Sequence, residues 1–190
     1  MMNTGIFLFN DIELLDFAGP YEVFSVTSEL NDDGLFNVFT ITQDGNSIKS
    51  VNGLTVMPDY SFKNHPAIDI LVIPGGVGTK REMNNPAVLS WLQQNHQTAQ
   101  ITFSVCSGAR LPGKLGLLDN LECTTHHEVI PELQEIAPQA IISQNRRFID
   151  NGKVMTSGGI SAGIDLSLYV VEKLYGREVR EKTVRYMEYF

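Results

Sequence analysis

Along the chain, short runs of apolar residues alternate with longer stretches in which apolar positions recur every three or four residues. Short runs rich in β-branched and aromatic residues suit strands, and the wider period belongs to amphipathic helices. "TGIFLF", "FNVFTIT", "AIDILVIPGG", "QITFSV" and "GKVMTSGG" are therefore predicted as strands. "GPYEVFSVTSEL", "PAVLSWLQQNHQTA", the segment 109–118, "AGIDLSLYVVEKLYG" and "REVREKTVRYMEYF" are predicted as helices. Strands that alternate with helices in this way build a mainly parallel sheet covered on both sides. Pro20 suits the first turn of its helix, where a missing N–H costs nothing. "SIKSVNGLTVMPDYSF" is predicted as a hairpin excursion, because Asn52-Gly53 is the strongest two-residue turn signal. No repeat, low-complexity tract or linker breaks the pattern, so residues 1–190 are read as one α/β domain.

In open sheets of this kind, sites form beyond the carboxyl ends of the strands. Three segments there stand out by residue type: "LLDFAGP", "PGGVGTK" and "VCSGA". Cys106 ends an apolar run and is followed by the small residues Ser107 and Gly108, which permit a tight turn into a helix. A thiol at a helix N-terminus feels the positive end of the dipole, which favours the thiolate. Free cysteine is also a common small core residue, and position alone leaves both roles open. The glycine loop is not a phosphate loop, because Thr79 precedes Lys80 where a glycine is needed and Arg81 follows where a hydroxyl is needed. Gly75 and Gly76 instead offer bare N–H groups to an anion forming at Cys106, or simply a strand-to-helix turn. Asp16 lies among apolar residues, a setting that raises a carboxyl pKa and suits a proton donor; helix capping is the competing role.

Two other constellations are decoys. Gly159-Ile160-Ser161-Ala162-Gly163 matches G-x-S-x-G, but all four histidines precede Ser161, whereas the base follows the serine in α/β-hydrolases. Close glycine packing of a helix on the sheet accounts for it better. His126 and His127, with Cys123 and Glu128, lack a metal-ligand spacing, since adjacent histidines are expected to diverge. No metal is expected there, although one of the two histidines fits beside the thiol.

Charge and composition restrict the partners. A net charge of −8 opposes nonspecific binding to nucleic acid or anionic membrane. No run approaches the roughly 20 apolar residues of a membrane span, and "MMNTGIFLFNDIELLD" has no basic leader. Two cysteines make no disulfide framework, so reduced thiols and a cytoplasmic location are expected.

"LDFAGPYEVF", "LVIPGG", "SVCSGA", "GLLDN…CTTHH" and "GGISAGIDLSL", in that order over nearly the whole chain, resemble the ThiJ/PfpI superfamily, which shares its fold with class I glutamine amidotransferases. The wording is most similar to the isonitrile hydratase branch and to the sensor-like domain of some AraC-type regulators. The resemblance implies a flavodoxin-like three-layer sandwich, usually a homodimer, with Cys106 as the nucleophile at a strand-to-helix elbow. It implies Asp16 as the acidic partner contacting the thiol, oxyanion-type N–H groups from Gly76 and Ser107, His126 near the cysteine, and no metal or organic cofactor. The activity it implies is hydration of a small isonitrile to an N-substituted formamide through a thioimidate. A glyoxalase or deglycase acting on α-oxoaldehydes and a non-enzymatic redox or ligand sensor are the alternatives.

Ser107 stands where the protease branch of the superfamily carries histidine, which argues against proteolysis, and no H-x-E pair follows His127 as in the amidotransferases. The chain stops at "YMEYF", short of the proline-rich tail common in the hydratase branch, and a regulator would need an attached DNA-binding domain. Arg110 and Pro112 occupy positions that are usually aliphatic or alanine in relatives. Arg110 is expected to place a cation near the pocket and change which substrates fit, and Pro112 to disrupt the helix.

Overall fold

The computed structural model describes residues 1–32 and 34–190. In chain order its elements are β1 (Met2–Phe7), α1 (Leu14–Glu29), β2 (Phe36–Thr42), β3 (Ile48–Lys49), β4 (Thr55–Val56), β5 (Tyr60–Ser61), β6 (Ile70–Ile73), α2 (Thr79–Glu82) and α3 (Pro86–Thr98). There follow β7 (Ile101–Val105), a 3-10 turn (Cys106–Ala109), α4 (Arg110–Lys114), β8 (Glu122–Cys123), α5 (Ile130–Ile136) and β9 (Ile141–Ile142). The chain continues through β10 (Phe148–Asp150), β11 (Val154–Ser157), α6 (Ala162–Tyr175) and α7 (Arg177–Tyr186). Seven strands form the main sheet in the order β10-β11-β7-β6-β1-β2-β5, parallel throughout except where β10 meets β11.

Strand register explains the three layers. Ile6, Val72 and Phe103 are aligned across β1, β6 and β7, so they share one face, and Phe7 points to the other. Phe24 of α1 packs on Phe103 at a centroid distance of 6.3 Å, whereas Trp91 of α3 packs on Phe7 at 5.7 Å. The sheet is thus covered on both faces, as parallel sheets usually are. Among the described residues, no helix is long and apolar enough to cross a membrane.

Five sequence expectations need correction. Helix α1 begins at Leu14, so Pro20 lies inside it rather than in its first turn. Proline removes the hydrogen bond to the Asp16 carbonyl, and burial of Phe17, Val23 and Phe24 offsets that loss. The hairpin is real, but its register pairs Ile48 with Val56 and Lys49 with Thr55. Its loop therefore runs from Ser50 to Leu54, with Gly53 at φ +87°. Tyr60 and Ser61 leave the excursion and join the main sheet beside β2. The segment predicted as one helix over 109–118 is a 3-10 turn followed by a helix that ends at Lys114: Pro112 removes the bond to the Gly108 carbonyl at its start, and Gly116 at φ +70° closes its end, with the Leu117 N–H donating to the Pro112 carbonyl at 2.9 Å. Finally, β10 and α5 arise from segments whose short apolar content gave no distinct period.

Candidate active site

The carboxyl ends of β1, β6, β7 and β11 meet around Cys106. The residue occupies a left-handed conformation, φ +57°, that a non-glycine side chain adopts only under constraint. Three contacts hold it there. Its N–H donates to the Gly158 carbonyl at 3.1 Å, its carbonyl accepts from the Thr125 hydroxyl at 2.7 Å, and Gly108 lies so close to β6 that an added Cβ would stand 2.2 Å from the Ile73 oxygen. The elbow expected from "VCSGA" is present, and it turns the sulfur toward the cavity.

Asp16, on the first turn of α1, is fully buried, and its Oδ2 accepts the Gly75 N–H at 3.0 Å. This long-range bond replaces the capping role considered for it, since the side chain leaves its own helix. Oδ1 has no hydrogen-bond partner. Burial drives the carboxyl up to about 7; the Gly75 amide opposes the rise, Glu13 adds to it, and the Cys106 thiol draws it back.

The Cys106 thiol is pushed up to about 12, first by burial and then by the charge of Asp16, while the amides of Ser107 and Ile160 favour the thiolate. The expected helix-dipole activation is therefore outweighed: α4 has a single turn behind a 3-10 segment, and desolvation dominates. The pair loses its first proton from the carboxyl and holds the second on sulfur.

The glycine loop differs from expectation in one respect that changes the chemistry. The Gly75 N–H is engaged by Asp16, and the Gly76 N–H donates to Ser107 Oγ at 2.8 Å, so neither points freely at the sulfur. Both glycines remain obligatory for space. A Cβ on Gly75 would lie 2.6 Å from Asp16 Oδ2, and one on Gly76, at φ +124°, would lie 2.4 Å from the Asp11 oxygen. The amides that favour the thiolate are those of Ser107 and Ile160. Ile160 was not singled out by the sequence, where it appeared only as the second residue of the G-x-S-x-G decoy. Its signal is backbone strain: a β-branched residue at φ +49°, directly after Gly158-Gly159 at the end of a strand.

A cavity of about 410 Å³ opens above the sulfur, with Cys106, Val77, Lys80, His126, Glu132 and Ile160 among its lining residues. His126 is brought to this wall as expected; its ring leaves no room for a side chain on Gly159, whose Cβ would approach Cδ2 to 2.3 Å. His127 does not diverge, its ring centroid lying 4.3 Å from that of His126. Among the described residues no group of three or more His, Cys, Asp or Glu side chains is arranged to hold a metal. The G-x-S-x-G segment serves packing, with Gly163 against Val105, where a Cβ would meet Cγ1 at 2.9 Å.

Arg110 requires the largest revision. It is 5% exposed, and its guanidinium turns to protein partners: Nε and Nη2 donate to Glu132 Oε2 at 3.0 and 2.5 Å, and Nη1 donates to the Thr79 hydroxyl at 2.8 Å. It forms part of the cavity wall with its cation neutralised.

Comparison with known proteins places this geometry. The chain is 29% identical to an isonitrile hydratase from Pseudomonas putida, over 99% of this chain and 78% of that protein. It is equally 29% identical to the HTH-type transcriptional regulator GbdR from Pseudomonas aeruginosa, over 93% of this chain, and spans about half of that regulator's length. A ThiJ/PfpI family protein from Pseudomonas syringae superposes with a TM-score of 0.88 at 23% identity, over 99% of this chain and 75% of that one. The sequence model of the DJ-1/PfpI family matches residues 3–173. A mainly parallel sheet with the glycine loop and the Cys106 elbow at its carboxyl end, matched over most of its length, makes the chain a member of the DJ-1/PfpI family.

Proposed function

We propose that the protein is a cysteine-dependent enzyme of the isonitrile hydratase type, acting on a small isonitrile in the cavity above Cys106. The observation that carries this is the fully buried carboxyl of Asp16, with one oxygen on the Gly75 N–H and the other unpaired; burial pushes it up to about 7 and pushes the Cys106 thiol higher still. A neutral acid beside a neutral thiol suits addition of S–H across one carbon. Asp16 delivers its proton to the isonitrile carbon while the sulfur attacks that carbon and passes its proton to the carboxylate just formed. The product is a thioimidate on Cys106, with Asp16 protonated again. Water then adds to the same carbon, the nitrogen takes a proton, and collapse of the adduct returns the thiol and releases an N-substituted formamide. The amides of Ser107 and Ile160 stabilise charge on sulfur as it attacks and leaves, each at a scale of about 3 kcal/mol for a well-placed donor. Val77 and Ile160, 59% and 39% exposed at the cavity, offer an apolar surface for the alkyl substituent.

The test is incubation with cyclohexyl isocyanide, following N-cyclohexylformamide by mass spectrometry, with methylglyoxal in parallel. Formamide production that disappears in Cys106→Ala, with unfolding behaviour retained, is the expected result. Consumption of methylglyoxal alone would move the protein to the α-oxoaldehyde enzymes. A second reading, a ligand- or oxidant-sensing domain, is favoured by the equal identity to GbdR. Stoichiometric oxidation of Cys106 to sulfinate with no turnover of either compound would select it.

A further inference from the structure

The charged pair beside the cavity reaches the reacting centre through a continuous chain of hydrogen bonds. Glu132 holds the Arg110 guanidinium from two nitrogens, and Arg110 Nη1 donates to Thr79 Oγ1 at 2.8 Å. The Thr79 hydroxyl, fully buried, passes its own hydrogen to the Gly76 carbonyl at 2.7 Å. That carbonyl also accepts from Ser107 Oγ at 3.2 Å, while the Gly76 N–H returns a bond to the same oxygen at 2.8 Å. The Gly76 carbonyl is thus held by two hydroxyls, from Thr79 on α2 and from Ser107 on the elbow. Ser107 directly follows Cys106, and its amide favours the thiolate.

We propose that Arg110 is a positioning residue: anchored by Glu132, it fixes the Gly76 carbonyl through the Thr79 hydroxyl and so holds in place Ser107, the residue after the cysteine, whose hydroxyl is bonded to the same glycine. The residue acts through geometry rather than through its charge. Burying a guanidinium is costly unless its hydrogen bonds are made, and here the bonds made are those that join α4, α5 and the glycine loop. Lysine cannot replace it, because a single ammonium on a flexible stem lacks the planar fork that reaches Glu132 and Thr79 together. The inference rests on Cys106 being the reactive group and not on which substrate it attacks.

Alkylation of Cys106 by iodoacetamide, located by peptide mass spectrometry, tests this without any natural substrate. Thr79→Val keeps the shape and removes the hydroxyl; Thr79→Ser keeps the hydroxyl and removes a methyl group. Displacement of Ser107, whose amide favours the thiolate, should move the rate–pH profile upward by about one unit, read as roughly tenfold slower alkylation at fixed pH. We expect this in Thr79→Val, in Arg110→Met and in Arg110→Lys, with Thr79→Ser close to the parent. A packing role would reverse the order of the two Thr79 variants, because serine leaves the larger void, and that order would overturn the proposal. Parent-like alkylation in Arg110→Lys would overturn it as well, by showing that charge alone suffices. Should Thr79→Val fail to fold, Glu132→Ala releases the outer end of the same chain at a half-buried position, and an unshifted profile there would also refute it. Absence of formamide production with these shifts intact would remove the hydratase activity and leave the positioning role standing.

Discussion

Replacing Asp16 by asparagine should stabilise the protein while removing its activity, and the structure sets the size and pH range of the gain. The carboxyl ionises near its ordinary value of 3.8 in the unfolded chain and near 7 when folded. Between these values the unfolded chain gives up the proton and the folded protein keeps it. The raised pKa is thus a contribution fully available at low pH and lost as pH climbs to the folded value. Each pH unit in that window costs about 1.4 kcal/mol, so the full loss approaches 4 kcal/mol at pH 7 and stays constant above it. That is a large share of the 5–15 kcal/mol typical of a domain. Asparagine retains an oxygen for the Gly75 N–H but never ionises. Urea unfolding of parent and Asp16→Asn, measured at intervals from pH 4.5 to 8.5, should show a difference that grows in favour of the variant across the window and then levels off. Any pH-independent cost of the amide shifts the whole curve without changing its slope. A difference that stays flat from pH 4.5 to 8.5 would mean that Asp16 titrates in the folded protein as it does in the unfolded one, and would end its role as a neutral acid.

Turnover of cyclohexyl isocyanide should fall about tenfold per pH unit above pH 7, as Asp16 loses the proton it must deliver; a rate that rises through pH 8 and 9 would point to thiolate attack instead. Gly75→Ala should cost about 1–3 kcal/mol by overpacking and abolish turnover, because the new methyl group would stand 2.6 Å from Asp16 Oδ2 and 2.8 Å from the Ser107 nitrogen. Parent-like unfolding in urea would show that the loop yields. Trp91, the single tryptophan, donates its indole N–H to His65 Nε2 at 2.9 Å and stacks on Phe62. His65→Leu should therefore shift its fluorescence and cost about 1–2 kcal/mol for the unpaired buried donor, and an unchanged spectrum would refute that contact.

Most of the fold could be read from period and punctuation because β1, β2, β6, β7 and β11 are largely buried on both faces, and they draw on β-branched and aromatic residues interspersed with small polar ones. The strands that escaped were short ones of two or three residues, fixed by the strand they pair with rather than by a pattern of their own. Tyr60-Ser61 becomes a strand only because β2 presents an open edge. Phe148–Asp150 becomes one by pairing antiparallel with β11. Helix α1 ran back to Leu14 through a Gly-Pro pair that locally signals a start, since Gly19 lets α1 approach Ile164 of α6 and tertiary burial overrides the proline.

For the site, residue type was legible and connectivity was not. Cys106, Asp16, Ser107 and the glycine pair all converge, yet the assignment of N–H groups had to be redrawn, because a sequence shows which amides are unshielded and not which acceptors reach them first. Asp16 takes Gly75, Ser107 takes Gly76, and the sulfur is left with Ser107 and the strained Ile160. This division has a chemical consequence. The Gly75 amide offsets only part of the burial cost of Asp16, so the carboxyl stays neutral near pH 7 and available as an acid. Had Gly75 faced the sulfur instead, Asp16 would have lost an amide that favours its charged form, its pKa would stand higher still, and the thiolate would have gained a donor. The Gly75 bond thus withholds a donor from the thiolate and lowers the pH up to which Asp16 stays neutral, and it is burial that keeps the acid protonated.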